Sequence, residues 1–357
     1  MDAGSMATIK DVAQRVGVSV STVSHALSGK RPVSDETRSR VFQAIAELGY
    51  QPSVQAQSLV TGRTQIIGML FPFEGEGAEQ SGLNTIQLEM IWEANLAAQA
   101  GGYNLQLYTE TKDEASLRTI TQNCDGLLVS MIRLHDERIP YLLKQGKPFV
   151  MIGRPENADG ISWVDTDFDD MVMQQISHLV TLGHRAIVFM DKPESLIAKE
   201  LGYTVRSRQA YFHACETFGL EPIVVACGVA IEEGRRAMMH VLDKHPELTA
   251  LAAFNDLAAV GAYYALLAHA YRIPDDFSIV TFTSPSLLRA TTPFMTAMLN
   301  TGPLVSKTAA GVLLAQLMDR HLGNNQALIR SELIPGKTTG LVPAKRASRL
   351  MRANRSK

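Results

Sequence analysis

The stretch VGVSVSTVSHALSG, Val16–Gly29, carries hydroxyls at Ser19, Ser21, Thr22, Ser24 and Ser28 among small apolar residues, and its reading decides the fold of the front end. Upstream, Ile9, Val12, Ala13 and Val16 recur at helical spacing until Gly17 interrupts them, and Val20, Val23, Ala26 and Leu27 begin a second short apolar pattern. Downstream, Ser34 precedes the acidic first turn Asp35-Glu36-Thr37, which suits a helix dipole, and Val41, Ile45 and Leu48 share one face until Gly49. The pattern predicts three short helices. Two of them, joined at Gly17 by a tight turn, make a helix-turn-helix whose second helix is shaped to enter a DNA major groove. Small side chains let its backbone approach closely, its hydroxyls can bond phosphate oxygens or base edges, and His25 lies one turn further on. The competing structural reading is a hydroxyl-capped helix in an unrelated small bundle.

The charge distribution agrees with a polyanion partner for this end. The 357 residues contain 34 Lys and Arg against 36 Asp and Glu, yet Met6 to Arg63 is net +3 and the tail from Ala344 adds six basic residues and no acid. The stretch Thr64 to Pro343 is left at −10, and such an acidic body limits indiscriminate sticking to nucleic acid. No apolar run reaches the ~18 residues needed to span a bilayer. The start has no basic segment followed by an apolar core, so a cytoplasmic protein is expected. Cys124, Cys215 and Cys227 are odd in number and lack CxxC spacing, which fits idle thiols rather than a disulfide frame or zinc site.

From Ile66 onward, apolar runs of strand length alternate with helical stretches: Ile66 to Phe71, Leu105 to Tyr108, Gly126 to Val129, Phe149 to Ile152, Ala186 to Met190, Ile223 to Val225, Ala250 to Phe254 and Ile279 to Phe282. Strand and helix in alternation imply parallel sheets covered on both faces. Eight strands over this length read as two doubly wound units, with a ligand crevice at the strands' carboxyl ends. Enzyme signatures fail: PGKTTG at Pro335 has Ser331 where a Walker sequence needs glycine, GEGAEQSG at Gly75 breaks the dinucleotide spacing, and His178, His184, His240 and His245 show no H-E-x-x-H spacing. No catalytic residue, cofactor or metal site is expected.

The run TIKDVAQRVGVSVSTVSHALSGKRPVSDETRSRVFQAIAELGYQPSVQAQSLVTGRTQIIGML, residues 8–70, resembles the amino-terminal region of the LacI/GalR family of bacterial transcription repressors. The resemblance continues through LGHRAIVFM at Leu182 and AFNDLAAVGA at Ala253, covering essentially residues 7–343. It implies an α/β chain with an all-α helix-turn-helix domain at 7–52, a hinge helix and linker at 53–63, and a two-lobed periplasmic-binding-protein-like effector and dimerisation domain at 64–343; the basic tail at 344–357 lies beyond it and is expected to be a disordered, solvated end.

It also implies roles at particular positions. Val20, Ser21 and His25 match base-reading positions, with His25 standing where many members have Arg; Thr8, Ser19, Thr22, Ser24, Ser34 and Thr37 fall where the family anchors phosphates. In the hinge, Leu59 would wedge between base pairs from the minor groove, and Gln57 replaces a common Arg. In the effector site, Ser130, Arg154, Arg208 and Asn255 would meet the ligand, Arg208 through its planar guanidinium. Thr283 stands where the family usually has an acidic residue, so a carboxylate is expected to be absent there and the pocket more positive, favouring a glycoside, phosphorylated sugar or acidic metabolite. The alternative is a neutral hydrogen-bonding Thr283 with Arg154 or Arg208 in an internal salt bridge. The implied partners are a palindromic operator, a small sugar or glycoside effector, and a second copy of the chain in a homodimer rather than a tetramer, since the tail has no leucine heptads. A sugar-binding protein or sugar-converting enzyme without operator binding is the competing function; the first has no use for the front end and the second lacks a catalytic dyad.

Overall fold

The computed structural model describes residues 7–28, 31–50, 63–72, 85–109, 113–291, 294–319 and 323–343. The hinge positions Gln57 and Leu59 and the tail lie outside the described residues.

The front end is three helices: α1 (Ile9–Val16), α2 (Val20–Ser28) and α3 (Asp35–Leu48). Val12, Ala13, Val16, Val23, Ala26, Val41 and Ala44 close its core, with Ile9, Val18, Leu27, Ile45 and Leu48 packed around them. Each end is set by local chemistry. The Thr8 amide and hydroxyl both donate to Asp11 Oδ2 at 2.7 Å, which holds that carboxyl below its ordinary range and anchors the first turn of α1. Gly17 ends α1 at φ +76°, a left-handed conformation that only glycine adopts without strain, and so turns the chain into α2. Arg40 on α3 donates to the Val16 carbonyl at 2.7 Å, tying α3 to the end of α1.

The body holds two six-stranded sheets. Its strands are β1 (Ile66–Leu70), β2 (Asn104–Tyr108), β3 (Gly126–Val129), β4 (Phe149–Ile152), β5 (Ser162–Thr166), β6 (Ile187–Asp191), β7 (Ile223–Ala226), β8 (Ala250–Ala253), β9 (Ser278–Thr283), β10 (Thr296–Leu299), β11 (Gln326–Ile329) and β12 (Leu333–Ile334). Lobe 1 has the order β11-β5-β4-β3-β1-β2, all parallel; lobe 2 has β12-β10-β9-β8-β6-β7, parallel except for β12 against β10. The helices are α4 (Thr85–Ala100), α5 (Glu114–Asn123), α6 (Arg138–Gln145), α7 (Phe168–Thr181), α8 (Glu194–Ile197), α9 (Gly202–Phe218), α10 (Ile231–Lys244), α11 (Asp256–Ala268), α12 (Pro285–Thr291) and α13 (Gly302–Met318). Each sheet has an apolar core on both faces, as its near-continuous hydrophobic strands require.

All eight strands expected from the apolar runs form, and β5, β10, β11 and β12 are additional. Because of β11 and α13, lobe 1 is finished by residues that follow all of lobe 2's parallel strands. The chain therefore passes between the lobes after β5, after β10 and between β11 and β12, and Thr166 and Thr301 join two of these passages through a 2.7 Å hydroxyl contact. The PGKTTG stretch has a structural use: Thr338 donates to the Ile279 carbonyl at 2.7 Å, and the Gly336 amide, which donates to Thr296 at 3.1 Å, lies so close to the Met295–Thr296 backbone that a Cβ would collide with it.

Candidate functional site

Two places gather the residues singled out from the sequence. On the front end, the first turn of α2 carries a hydroxyl cluster: Ser19 Oγ lies 2.7 Å from Ser21 Oγ and 2.8 Å from Thr22 Oγ1, and accepts from the Thr22 amide at 3.1 Å. Ser19 therefore caps the helix it begins, while Val20 stays 41 % exposed although it is apolar. Thr8 and Ser34 are exposed and cap α1 and α3, Ser34 through a 3.3 Å bond from the Thr37 amide; Thr37, Ser24 and His25 are half-buried. Hydroxyls gathered at three helix starts make a surface that can meet phosphates without long side chains.

The second place is a cavity of about 260 Å³ between the lobes. Its walls are strand carboxyl ends from both sheets: Phe71 after β1, Ser130 after β3, Gly153 and Arg154 after β4, Asp165 and Thr166 in β5, Lys192 after β6, Asn255 and Asp256 after β8, and Asn300 after β10. Parallel strands leave their carboxyl ends open to a ligand, and two facing lobes supply two such sets. Phe254 and Phe282 add apolar faces, stacked with ring centres 5.3 Å apart. One flank is closed by backbone pairing between lobes: Gly202 N donates to the Ile132 carbonyl at 2.8 Å and Leu134 N to the Glu200 carbonyl at 3.0 Å. Arg206 crosses the same seam, donating to the Pro155 carbonyl at 3.3 Å and standing 3.9 Å from Asp165. Burial pushes the Asp165 carboxyl up to about 6, an effect that Arg206 opposes.

Of the five expected effector residues, Ser130, Arg154 and Asn255 line the cavity. Ser130 gives its hydroxyl hydrogen to the Leu70 carbonyl at 2.8 Å; Arg154 places its guanidinium 5.6 Å from the Trp163 ring centre; Asn255 caps α11 by accepting from Ala258 N at 3.3 Å. Arg208 is elsewhere. Its Nε donates to Asp191 Oδ2 at 2.6 Å and its Nη2 to Glu194 Oε1 at 3.0 Å, so the internal ion pair is the outcome and the guanidinium is not on the wall. Thr283 is also behind the wall, buried, with its hydroxyl 3.4 Å from Asp256 Oδ2. The expected lack of a carboxylate in the pocket is thus corrected: Asp256, one residue beyond Asn255, brings one to the cavity, and Asp165 brings another, on the strand end beside Arg154. The sequence reading missed Lys192, Asp165, Asp256 and Asn300; the rule that strand ends face the crevice would have found Lys192 directly after the run IVFMD. Among the described residues no group of His, Cys, Asp and Glu could hold a metal ion, and no helix is long and apolar enough to cross a membrane.

The profile of the lacI family of bacterial regulatory proteins matches residues 8–53, and that of the periplasmic binding protein-like domain matches residues 176–339. The chain carries a lacI-family domain at residues 8–53. LacI-family relatives cover nearly all of it: the HTH-type transcriptional regulator CelR of Thermobifida fusca is 28 % identical over 90 % of this chain and 94 % of its own length. AglR of Rhizobium meliloti, also an HTH-type transcriptional regulator, is 28 % identical over 94 % and 95 %. Among solved structures, the lac repressor dimer bound to operator and the anti-inducer ONPF superimposes with a TM-score of 0.78 at 22 % identity, covering 94 % of this chain and all of that one. The complex of CelR with cellobiose gives 0.66 at 24 % identity over 93 % and 99 %. The helical front end and the two-lobed body are thus the two halves of one known architecture.

Proposed function

We propose that this chain is a cytoplasmic transcriptional repressor that binds a palindromic operator as a homodimer and changes its operator affinity when a saccharide occupies the interlobe cavity; it is not an enzyme. The observation that carries the reading is the junction, in one chain, of a helix-turn-helix with a hydroxyl-lined recognition helix and a two-lobed body whose strand ends converge on a ligand-sized cavity. Relatives supply support: the solved lac repressor is a dimer on operator DNA, and CelR holds cellobiose. For the dimer, Leu88, Trp92 and Leu96 form an exposed apolar row on α4 at spacings of four residues, a face that a second copy can cover.

Val20, Ser21 and His25 read bases; Thr8, Ser19, Thr22, Ser24, Ser34 and Thr37 fix the headpiece to phosphates; Gln57 and Leu59 act in the minor groove. Ser130, Arg154 and Asn255 bind the effector. Arg208 and Thr283 act indirectly, by holding Asp191 and Asp256. A ligand that bridges Arg154 on lobe 1 and Asn255 on lobe 2 binds one lobe arrangement better than another, and so shifts the population that presents paired headpieces to DNA. The test is fluorescence anisotropy on a palindromic operator with the full chain and with a chain lacking residues 1–62. Operator binding by the full chain that a saccharide alters, and that the truncation abolishes, supports the reading. Operator affinity that survives the truncation, or that equals affinity for random DNA, overturns it.

A further inference from the structure

We infer that Lys192 anchors an acidic group on the ligand, and that the cavity takes a saccharide bearing a carboxylate. The inference rests on the effector-site reading above and deepens it.

The end of β6 divides two charges. Asp191 is fully buried and turns to Arg208, with which it pairs at 2.6 Å, whereas Lys192, the next residue, lines the cavity. Successive side chains of a strand point to opposite faces, so the residue that captures Arg208 sends its neighbour toward the ligand space. The Lys192 ammonium lies 5.4 Å from the Phe254 ring centre, and among the described residues it makes no hydrogen bond or ion pair. Burial lowers its proton affinity, with Asp256 and Asp191 opposing that effect from a distance.

Its neighbours on the wall are also donors without acceptors. Asn255 is 4 % exposed, its Oδ1 is used by the Ala258 amide, and its Nδ2 hydrogens have no acceptor. Across the cavity, Arg154 Nε is buried and unpartnered as well. The carboxylates are already engaged: Asp165 accepts from the amides of Thr166 at 2.9 Å and Arg154 at 3.1 Å, and Asp256 from the Leu257 amide at 2.7 Å. A hydroxyl can accept from these donors but carries no charge, so a neutral sugar leaves the Lys192 ammonium without a counter-ion. An ionised carboxylate brings acceptors alone, and one set between Lys192 Nζ and Asn255 Nδ2 satisfies both. The stacked Phe254 and Phe282 offer the apolar surface that a sugar ring's C–H face covers. A phosphate dianion is disfavoured because Asp165 and Asp256 share the wall with Arg154 and Lys192 and repel a second negative charge.

The test is isothermal titration of the full-length protein at pH 7.5 with two matched sets: glucose, glucuronate and glucose 6-phosphate, and galactose, galacturonate and galactose 6-phosphate. At least one sugar acid is expected to bind about tenfold or more tighter than its neutral parent, the scale of one buried charge-assisted hydrogen bond. Lys192→Met, which keeps the apolar stem, is expected to bring that ratio near one, and Lys192→Arg to keep most of it. Tighter binding of a neutral sugar or a phosphate, equal weakening of acid and parent by Lys192→Met, or binding of none of the six overturns the inference. Operator anisotropy of the same wild-type preparation separates the two levels: retained operator binding leaves the repressor reading standing when the sugar-acid arm fails.

Discussion

His184 gives the sharpest energetic prediction. The ring is fully buried in lobe 2, with Nε2 3.0 Å from both the Gly340 carbonyl and Ser278 Oγ, and Nδ1 2.9 Å from Thr249 Oγ1. A carbonyl can only accept, so the neutral ring carries its proton on Nε2 and accepts at Nδ1 from the Thr249 hydroxyl. Burial pushes its pKa from the ordinary 6.5 down to about 4. Between those two values the unfolded chain holds a proton that the folded chain does not. The stability that neutral His184 contributes is therefore complete above pH 6.5 and is lost as pH falls toward 4. At 1.36 kcal/mol per unit, the loss over that window is about 3 kcal/mol. His184→Gln keeps a hydrogen-bonding side chain but cannot titrate. Urea unfolding of both proteins, followed by circular dichroism at pH 7 and pH 4, should show wild type losing about 3 kcal/mol relative to the variant. The Gly340 amide, which donates to Ser278 Oγ at 3.0 Å, should lose hydrogen-exchange protection over the same range in wild type only. A wild-type-minus-variant difference equal at both pH values would refute the argument.

Three further outcomes are expected. Val20→Ala should weaken operator binding by about 1–3 kcal/mol, read by anisotropy, and leave urea stability unchanged because the side chain is exposed; equal operator affinity would remove Val20 from the base-reading set. Trp92→Glu should convert dimer to monomer in sedimentation, since a 61 % exposed indole is suited to burial by a partner and a carboxylate there is not; an intact dimer would place the interface elsewhere. Gly17→Ala should destabilise the three-helix front end by about 1 kcal/mol although open space surrounds the position, because φ is +76°; a neutral effect in thermal melts would show that the turn relaxes.

The front end was legible because short-range rules decide it: apolar spacing places the three helices, and glycine at 17 and 49 stops two of them. The eight central strands announced themselves as apolar runs. Strand β5, SWVDT, did not, because Ser162, Asp165 and Thr166 are buried polar residues made tolerable by distant partners, such as Gln316 Nε2 donating to Ser162 Oγ at 2.7 Å. Strand β11 sits at a sheet edge with every second residue exposed, so its apolar content is diluted. In the cavity, Ser130, Arg154 and Asn255 follow from their places at strand ends. The position of Arg208 does not, because an aspartate 17 residues earlier and Glu194 decide it, and no local pattern marks that pairing.

The interleaving of the lobes has a consequence for synthesis. Lobe 2's parallel strands run from Ile187 to Leu299, whereas lobe 1 opens at Ile66 and receives its last helix and edge strand only with residues 302–329. On the ribosome, the portion made first must therefore wait with a raw apolar flank, where Ala94 and Ala98 will meet Leu313, until the portion made second has emerged. Nascent chains stalled before Gly302 should consequently engage chaperones through the apolar flank of the earlier lobe.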